Sequence, residues 1–146
     1  MTDERRLTAS VVVVTKDRPE LLSGLLESLT RQTLPPDEVL VVDNNSTASY
    51  AEVFERYRDR LPLRTVVETT PGIPAARNRG VRESKGEIIV FTDDDCVADP
   101  RWVENMVEPF YRDPHIGAVG GEMAFLGIAS GLIGEHYRAD REAFKQ

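Results

Sequence analysis

Four short apolar runs begin near residues 9, 38, 63 and 87, and a helix-length segment separates each from the next. The first, Ala9–Val14 (ASVVVV), is an unbroken, mostly β-branched stretch, the pattern of a strand buried on both faces of a parallel sheet. Val39–Val42, Leu63–Val67 and Glu87–Thr92 read as the next three strands. Starts about 24 to 29 residues apart suit strand–helix–strand units, whose right-handed crossovers leave the strands parallel. The chain therefore reads as an α/β fold with helices on both faces of a mostly parallel sheet.

The intervening segments carry helical periods. Asp17, with Glu20 three residues on, is expected to open a capping box, and Leu21, Leu22, Leu25, Leu26 and Leu29 form one apolar stripe that stops before Leu34-Pro35-Pro36. Tyr50, Phe54, Tyr57 and Leu61 mark a second amphipathic helix. Pro74 suits the first turn of a third, with Gly86 at its end. Asp99-Pro100 reads as the cap and first residue of a fourth, whose buried face is Trp102, Val103, Met106, Val107 and Phe110. Residues 116–126 are expected as a further strand and residues 135–145 as a helix.

Composition narrows the function. The 146 residues fit one domain, and the net charge of −7 leaves no basic face of the kind that binds nucleic acid. A single anionic ligand still fits, because a local site does not need a basic protein. Cys96 is the one cysteine, so an intrachain disulfide and a cysteine zinc cluster are excluded. Beside three acids its thiolate is disfavoured, so Cys96 reads as structural. His115 and His136 lack metal-ligand spacing and read as surface residues. The polar start, MTDERRLTAS, is not a signal peptide, and no run approaches the ~18 apolar residues of a membrane span. The longest uncharged run, Met123–Gly134 (MAFLGIASGLIG), reads as a buried segment or as an acceptor-side or membrane-interface patch. The expected location is cytoplasmic, at most peripheral to the inner face of the membrane.

Ligands of parallel sheets sit beyond the carboxyl ends of the strands. Here those ends are Thr15-Lys16-Asp17-Arg18, Asp43-Asn44-Asn45-Ser46, the 68–73 loop and Asp93-Asp94-Asp95. Two like charges at ~4 Å repel by roughly 4 kcal/mol at an effective dielectric of about 20. A divalent cation would relieve the aspartate triplet, since hard cations take carboxylate oxygens together with substrate phosphates. The competing reading is a solvated acidic turn. The Asp43–Ser46 stretch offers donors and acceptors to a base or ribose, and is equally good turn chemistry. Arg77, early in the third helix, could reach a diphosphate or simply face solvent. Pro71 and Gly72 bend the chain just before it.

Taken in order, Ser10–Arg18 (SVVVVTKDR), Val41–Ser46 (VVDNNS), Gly72 with Ala75–Gly80 (AARNRG), Gly86-Glu87 before Phe91–Asp95 (FTDDD), and Asp99-Pro100-x-Trp102 form a specific set. It resembles the N-terminal half of family 2 glycosyltransferases with the Rossmann-like GT-A fold, over about residues 8 to 125. Together with the strand spacing, the resemblance implies sheet order 3-2-1-4. It further implies a nucleotide-diphospho-sugar donor, Mn2+ or Mg2+, and inversion at the anomeric carbon. Thr15 and Arg18 fall in the first nucleoside-contacting loop, Asp43 at the acid that contacts the base, with Asn45 in the same loop, and Arg77 near base and phosphates. Asp93 and Asp95 match the Asp-x-Asp pair, the first near ribose and metal, the second on the metal, with Asp94 sharing either task.

The usual Asp-Asp-Gly-Ser is Asp43-Asn44-Asn45-Ser46 here, leaving one acid in that loop. The catalytic base is unassigned, with Glu122 and Glu135 the carboxylates to consider, and the Gln-x-x-Arg-Trp pattern of processive synthases is absent. The expectation is a single nucleotide-sugar-binding domain over 1–146 that lacks the full acceptor-binding half. Its acceptor would be a hydroxyl on a glycan, a lipid-linked sugar or a small molecule, and its C-terminal third would pair two copies as a homodimer. A non-catalytic nucleotide-sugar-binding module is the alternative. Asp93-x-Asp95-x-Val97 also mimics the nucleophile motif of haloacid-dehalogenase-like phosphatases, without that fold's downstream lysine and acidic pair.

Overall fold

The computed structural model describes residues 5–123. The elements alternate: β1 (Ala9–Thr15), α1 (Pro19–Leu29), β2 (Glu38–Asp43), α2 (Ala51–Tyr57), β3 (Leu63–Val67), α3 (Ile73–Glu83), β4 (Ile88–Asp93) and α4 (Trp102–Arg112). The four strands form one sheet in the order β3-β2-β1-β4, and every neighbouring pair is parallel. The β-branched run thus occupies an inner strand, where Val11, Val12 and Val13 are fully buried. Burying each such side chain favours folding by roughly 1.5–3 kcal/mol.

The two faces are covered unequally. Val11, Val13, Val39, Val41 and Val90 pack against Leu22, Leu25, Leu26 and Leu29 of α1, Val53 and Tyr57 of α2, and Val103 and Val107 of α4. On the other face Val12, Leu40 and Val42 meet Ala76 of α3. Helix α3 lies so close that a Cβ at Gly80 would overlap Val12 Cγ1.

Helix boundaries differ from the sequence reading, for local reasons. Asp17 does not cap α1. It adopts φ 52°, and its Oδ1 accepts the Thr47 and Ala48 N–H groups at 2.7 and 2.8 Å. Leu21 falls off the edge of the leucine stripe and is exposed. Asp99 turns back on Arg101 N–H, and α4 starts at Trp102, two residues after Pro100. Gln32 Oε1 reaches across from the end of α1 to accept the Val103 N–H at 2.9 Å. Helix α3 ends at Glu83, and Gly86 serves elsewhere: its N–H donates to Ser10 Oγ at 2.7 Å. The strand expected over 116–126 does not form across 116–123. Among the described residues no strand pairs with this glycine-bearing segment. The remainder of that strand, most of the Met123–Gly134 run, Glu135, His136 and the 135–145 helix lie outside the described residues. No helix among the described residues is long and apolar enough to cross a membrane.

Candidate functional site at the carboxyl rim

Parallel pairing sets Thr15 level with Asp43, and Val14 level with Asp93. The ends of β1, β2 and β4 therefore meet along one rim, as the strand spacing requires. The aspartate triplet divides there by side. Asp93 points to the α3 face, where Arg77 Nη2 lies 3.3 Å from its Oδ1. Asp94 turns inward and is only 2% exposed, and its Oδ2 accepts the Thr15 hydroxyl at 2.9 Å. Asp95 turns out again, with Arg18 Nη1 3.7 Å from its Oδ2. Arg18 Nε also stands 3.5 Å from Asp94 Oδ2. Asp93 and Asp95 keep 57% and 53% of their side-chain surface open to solvent.

Burial raises the Asp94 carboxyl above its ordinary range. The Thr15 hydrogen bond and Arg18 pull it back, and the neighbouring Asp95 and Asp93 push it further up. The two arginines supply positive charge that the triplet needs, through long ion pairs that are exposed at Asp93 and Asp95 and reach inward at Asp94. Among the described residues no group of three or more His, Cys, Asp or Glu is placed to hold a metal. The donor chemistry nevertheless fits a hard cation: two solvent-facing carboxylates suffice when phosphate and water complete the shell.

The β2–α2 loop is built around its own polar side chains. Asp43 Oδ1 accepts the Ser46 N–H at 2.9 Å. Asn44, which the sequence left as undifferentiated turn chemistry, is buried and ties this loop to the next. Its Nδ2 donates to Glu68 O and Thr70 O, and its Oδ1 accepts the Gly72 N–H at 3.0 Å. Asn45 takes the left-handed conformation at φ 56°, one that Asn tolerates well, and presents an exposed side chain. Lys16 Nζ donates to the Asn44 and Asn45 carbonyls at 3.2 and 3.4 Å. Asp17 closes the latch, and the Ala48 N–H leads the interactions that hold its carboxyl below the usual range.

The rim thus brings together the nucleotide- and metal-site residues singled out from the sequence, in two layers. Arg18, Asn45, Arg77, Asp93 and Asp95 face outward, and Asp43 is half-buried. Thr15 and Asp94 lie beneath them, bonded to each other. Tyr50 was read only as part of an apolar stripe, yet its hydroxyl sits 2.9 Å from Thr15 Oγ1. No periodicity separates a tyrosine buried for its ring from one buried for its hydroxyl.

At the opposite end of the sheet a groove of about 330 Å3 is lined by Asp37, Glu38, Arg64 and Lys85 among others. Its buried Glu38 is fully engaged by Ser10, Arg64 and the Lys85 N–H. That groove is the fold's own fastening.

Known proteins agree with the fold. The glycosyl transferase family 2 model matches residues 10–127. The O-antigen biosynthesis protein RfbC of Myxococcus xanthus is 34% identical over 135 residues, 86% of this chain and 10% of that protein. Mannosyltransferase PcManGT from Pyrobaculum calidifontis, solved in complex with GDP-Man and Mn2+, superposes with TM-score 0.69 at 31% identity. The likeness covers 78% of this chain and 35% of that one. S. aureus TarS 1–349 in complex with UDP superposes with TM-score 0.67 at 26% identity, over 84% of this chain and 39% of that one. The chain spans less than half the length of each of these relatives. The family match sets aside the phosphatase reading of Asp93-x-Asp95. A parallel β3-β2-β1-β4 sheet, an aspartate triplet at its carboxyl rim and a family match across nearly all the described residues have one meaning: the chain belongs to glycosyl transferase family 2 and has its GT-A fold.

Proposed function

We propose that this chain binds a nucleotide-diphospho-sugar along the carboxyl rim and supplies the donor side of an inverting, metal-dependent glycosyltransferase. The observation that carries the reading is the outward pair Asp93 and Asp95, flanking an inward Asp94 and level with the Asp43 loop. Asp43 and Asn45 would meet the nucleoside. Arg18 and Arg77, which are themselves half exposed and whose present partners lie 3.3 to 3.7 Å away, would exchange those carboxylates for a diphosphate, which a guanidinium can meet with two parallel hydrogen bonds. Mn2+ or Mg2+ held by Asp93 and Asp95 would offset charge on the departing nucleotide. Thr15 and Asp94 would act beneath the ligand, fixing the loop and the triplet. The GDP-Man, Mn2+ and UDP bound by the relatives support this reading.

The acceptor is a hydroxyl compound, and the base that deprotonates it lies outside the recognised motifs. Self-association through the C-terminal third belongs to the same proposal. The test is calorimetric titration of UDP and GDP with Mn2+ and with EDTA. The parent should bind one of them more tightly with Mn2+. Asp95→Ala should lose most of that gain, and Asp43→Ala should weaken nucleoside recognition while Mn2+ still helps. Nucleotide binding by both variants at the parent's affinity would place the site elsewhere.

A further inference from the structure

Beneath the rim, a line of polar groups joins the two halves of the site, and donor counting fixes its direction. Thr15 donates its one hydroxyl proton to Asp94 Oδ2 at 2.9 Å. The Tyr50 hydroxyl, 2.9 Å from Thr15 Oγ1, must then be the donor in that contact. Tyr50 in turn accepts the Ser46 hydroxyl at 3.4 Å and the Arg18 N–H at 3.1 Å. Ser46 Oγ accepts the Asp17 N–H at 2.9 Å, while the Ser46 N–H holds Asp43. Each hydroxyl in the line donates toward Asp94, an arrangement in which successive hydrogen bonds polarise one another. Thr15, Tyr50 and Asp94 are each at most 4% exposed, so water does not replace these links.

We infer that Tyr50 is a positioning residue that couples nucleoside recognition at the Asp43 loop to the carboxylates of the aspartate triplet. The inference rests on the donor-binding reading above and adds to it a specific joint between base and metal subsites. Tyr50 is suited to the task by its two ends. Its ring stacks on Phe54 at 5.7 Å between centroids, while its hydroxyl is held where the loops meet by Thr15, Arg18 and Ser46. Removing the hydroxyl alone leaves Thr15 without its donor and Ser46 without its acceptor, while the ring keeps its packing.

The experiment measures the affinity of the whole chain for UDP or GDP, whichever the parent binds more tightly, with Mn2+ and with EDTA. The ratio of the two affinities is the coupling. Tyr50→Phe should reduce that ratio about fivefold, the worth of one ordinary hydrogen bond. Phe54→Leu, which disturbs the stack and spares the hydroxyl, should lower the melting temperature and leave the ratio at the parent's value. Thr15→Val cuts the adjacent link and should give the same loss. The double variant should lose no more than either single one. It is Thr15→Val that decides the matter should Tyr50→Phe not fold. A parental ratio in Tyr50→Phe, or an equal loss in Phe54→Leu, overturns the coupling and leaves donor binding standing. A parent that binds neither nucleotide with Mn2+ overturns both.

Discussion

The two ends of one sheet treat charge in opposite ways. At the amino end Glu38 is 8% exposed and accepts from Ser10 Oγ at 2.7 Å, Arg64 Nε at 2.9 Å and the Lys85 N–H at 3.0 Å. Arg64 goes on to bond Glu83 through both its carboxylate and its carbonyl. At the carboxyl end Asp93 and Asp95 are half open, and their arginine partners stand 3.3 and 3.7 Å away. A buried and saturated acid has no capacity left for a ligand, and removing it strands its partners. An open acid held by a loose ion pair adds little to stability and can change partners. The same residue types therefore fasten the fold at one end and stay available at the other.

The largest effect should come from breaking the closed end. Glu38→Ala leaves Arg64 and Ser10 without their buried acceptor and should cost about 3 kcal/mol in urea unfolding. Gly80→Ala tests the middle of the sheet, where helix α3 must retreat from Val12, and should cost about 2 kcal/mol. Acid should distinguish the ends next. Burial pushes the Glu38 carboxyl up, but hydrogen bonds from Ser10, Lys85 and Arg64 outweigh it and hold it below its ordinary range. The unfolded chain thus binds the proton more readily. The stabilisation from Glu38 is complete above about pH 4.3 and is lost as pH falls through the lower folded value. Melting curves between pH 6 and 3, read against Glu38→Gln, should show the variant with the shallower decline. The smallest effect on stability belongs to the open end. Asp95→Ala should change unfolding by less than about 0.5 kcal/mol, while removing most of the Mn2+-dependent gain in nucleotide affinity. A large stability loss there would erase the contrast between the ends.

Much of this was legible in the residues, and the rest was hidden for physical reasons. The β-branched runs and their spacing mark the strands and their parallel sense, and the family resemblance adds their order. The polar rim followed from strand direction. Which side chains face outward did not, because beyond Asp93 the chain leaves the strand period and turns. Asp17 resembled a helix cap in sequence, yet its left-handed backbone sends the carboxylate to the neighbouring loop. The role of Gln32 in capping α4 was equally unreadable, since the partner lies 71 residues away. Residues 116–123 show the converse: an apolar, glycine-bearing segment has strand composition, yet among the described residues it joins no ladder.

The alternation of parallel strands with returning helices has an electrostatic consequence. Helices α1, α2 and α3 each begin just after the carboxyl end of a strand, so three amino termini gather at the rim that carries the acids. Each helix terminus acts as roughly half a positive charge, spread over backbone N–H groups. The peptide dipoles therefore offset part of the aspartate charge without occupying a single carboxylate oxygen. In a chain with net charge −7, this lessens the repulsion that an anion would meet at that edge. On the donor-binding reading proposed above, the acids there would keep oxygens for a cation while backbone N–H groups face the diphosphate.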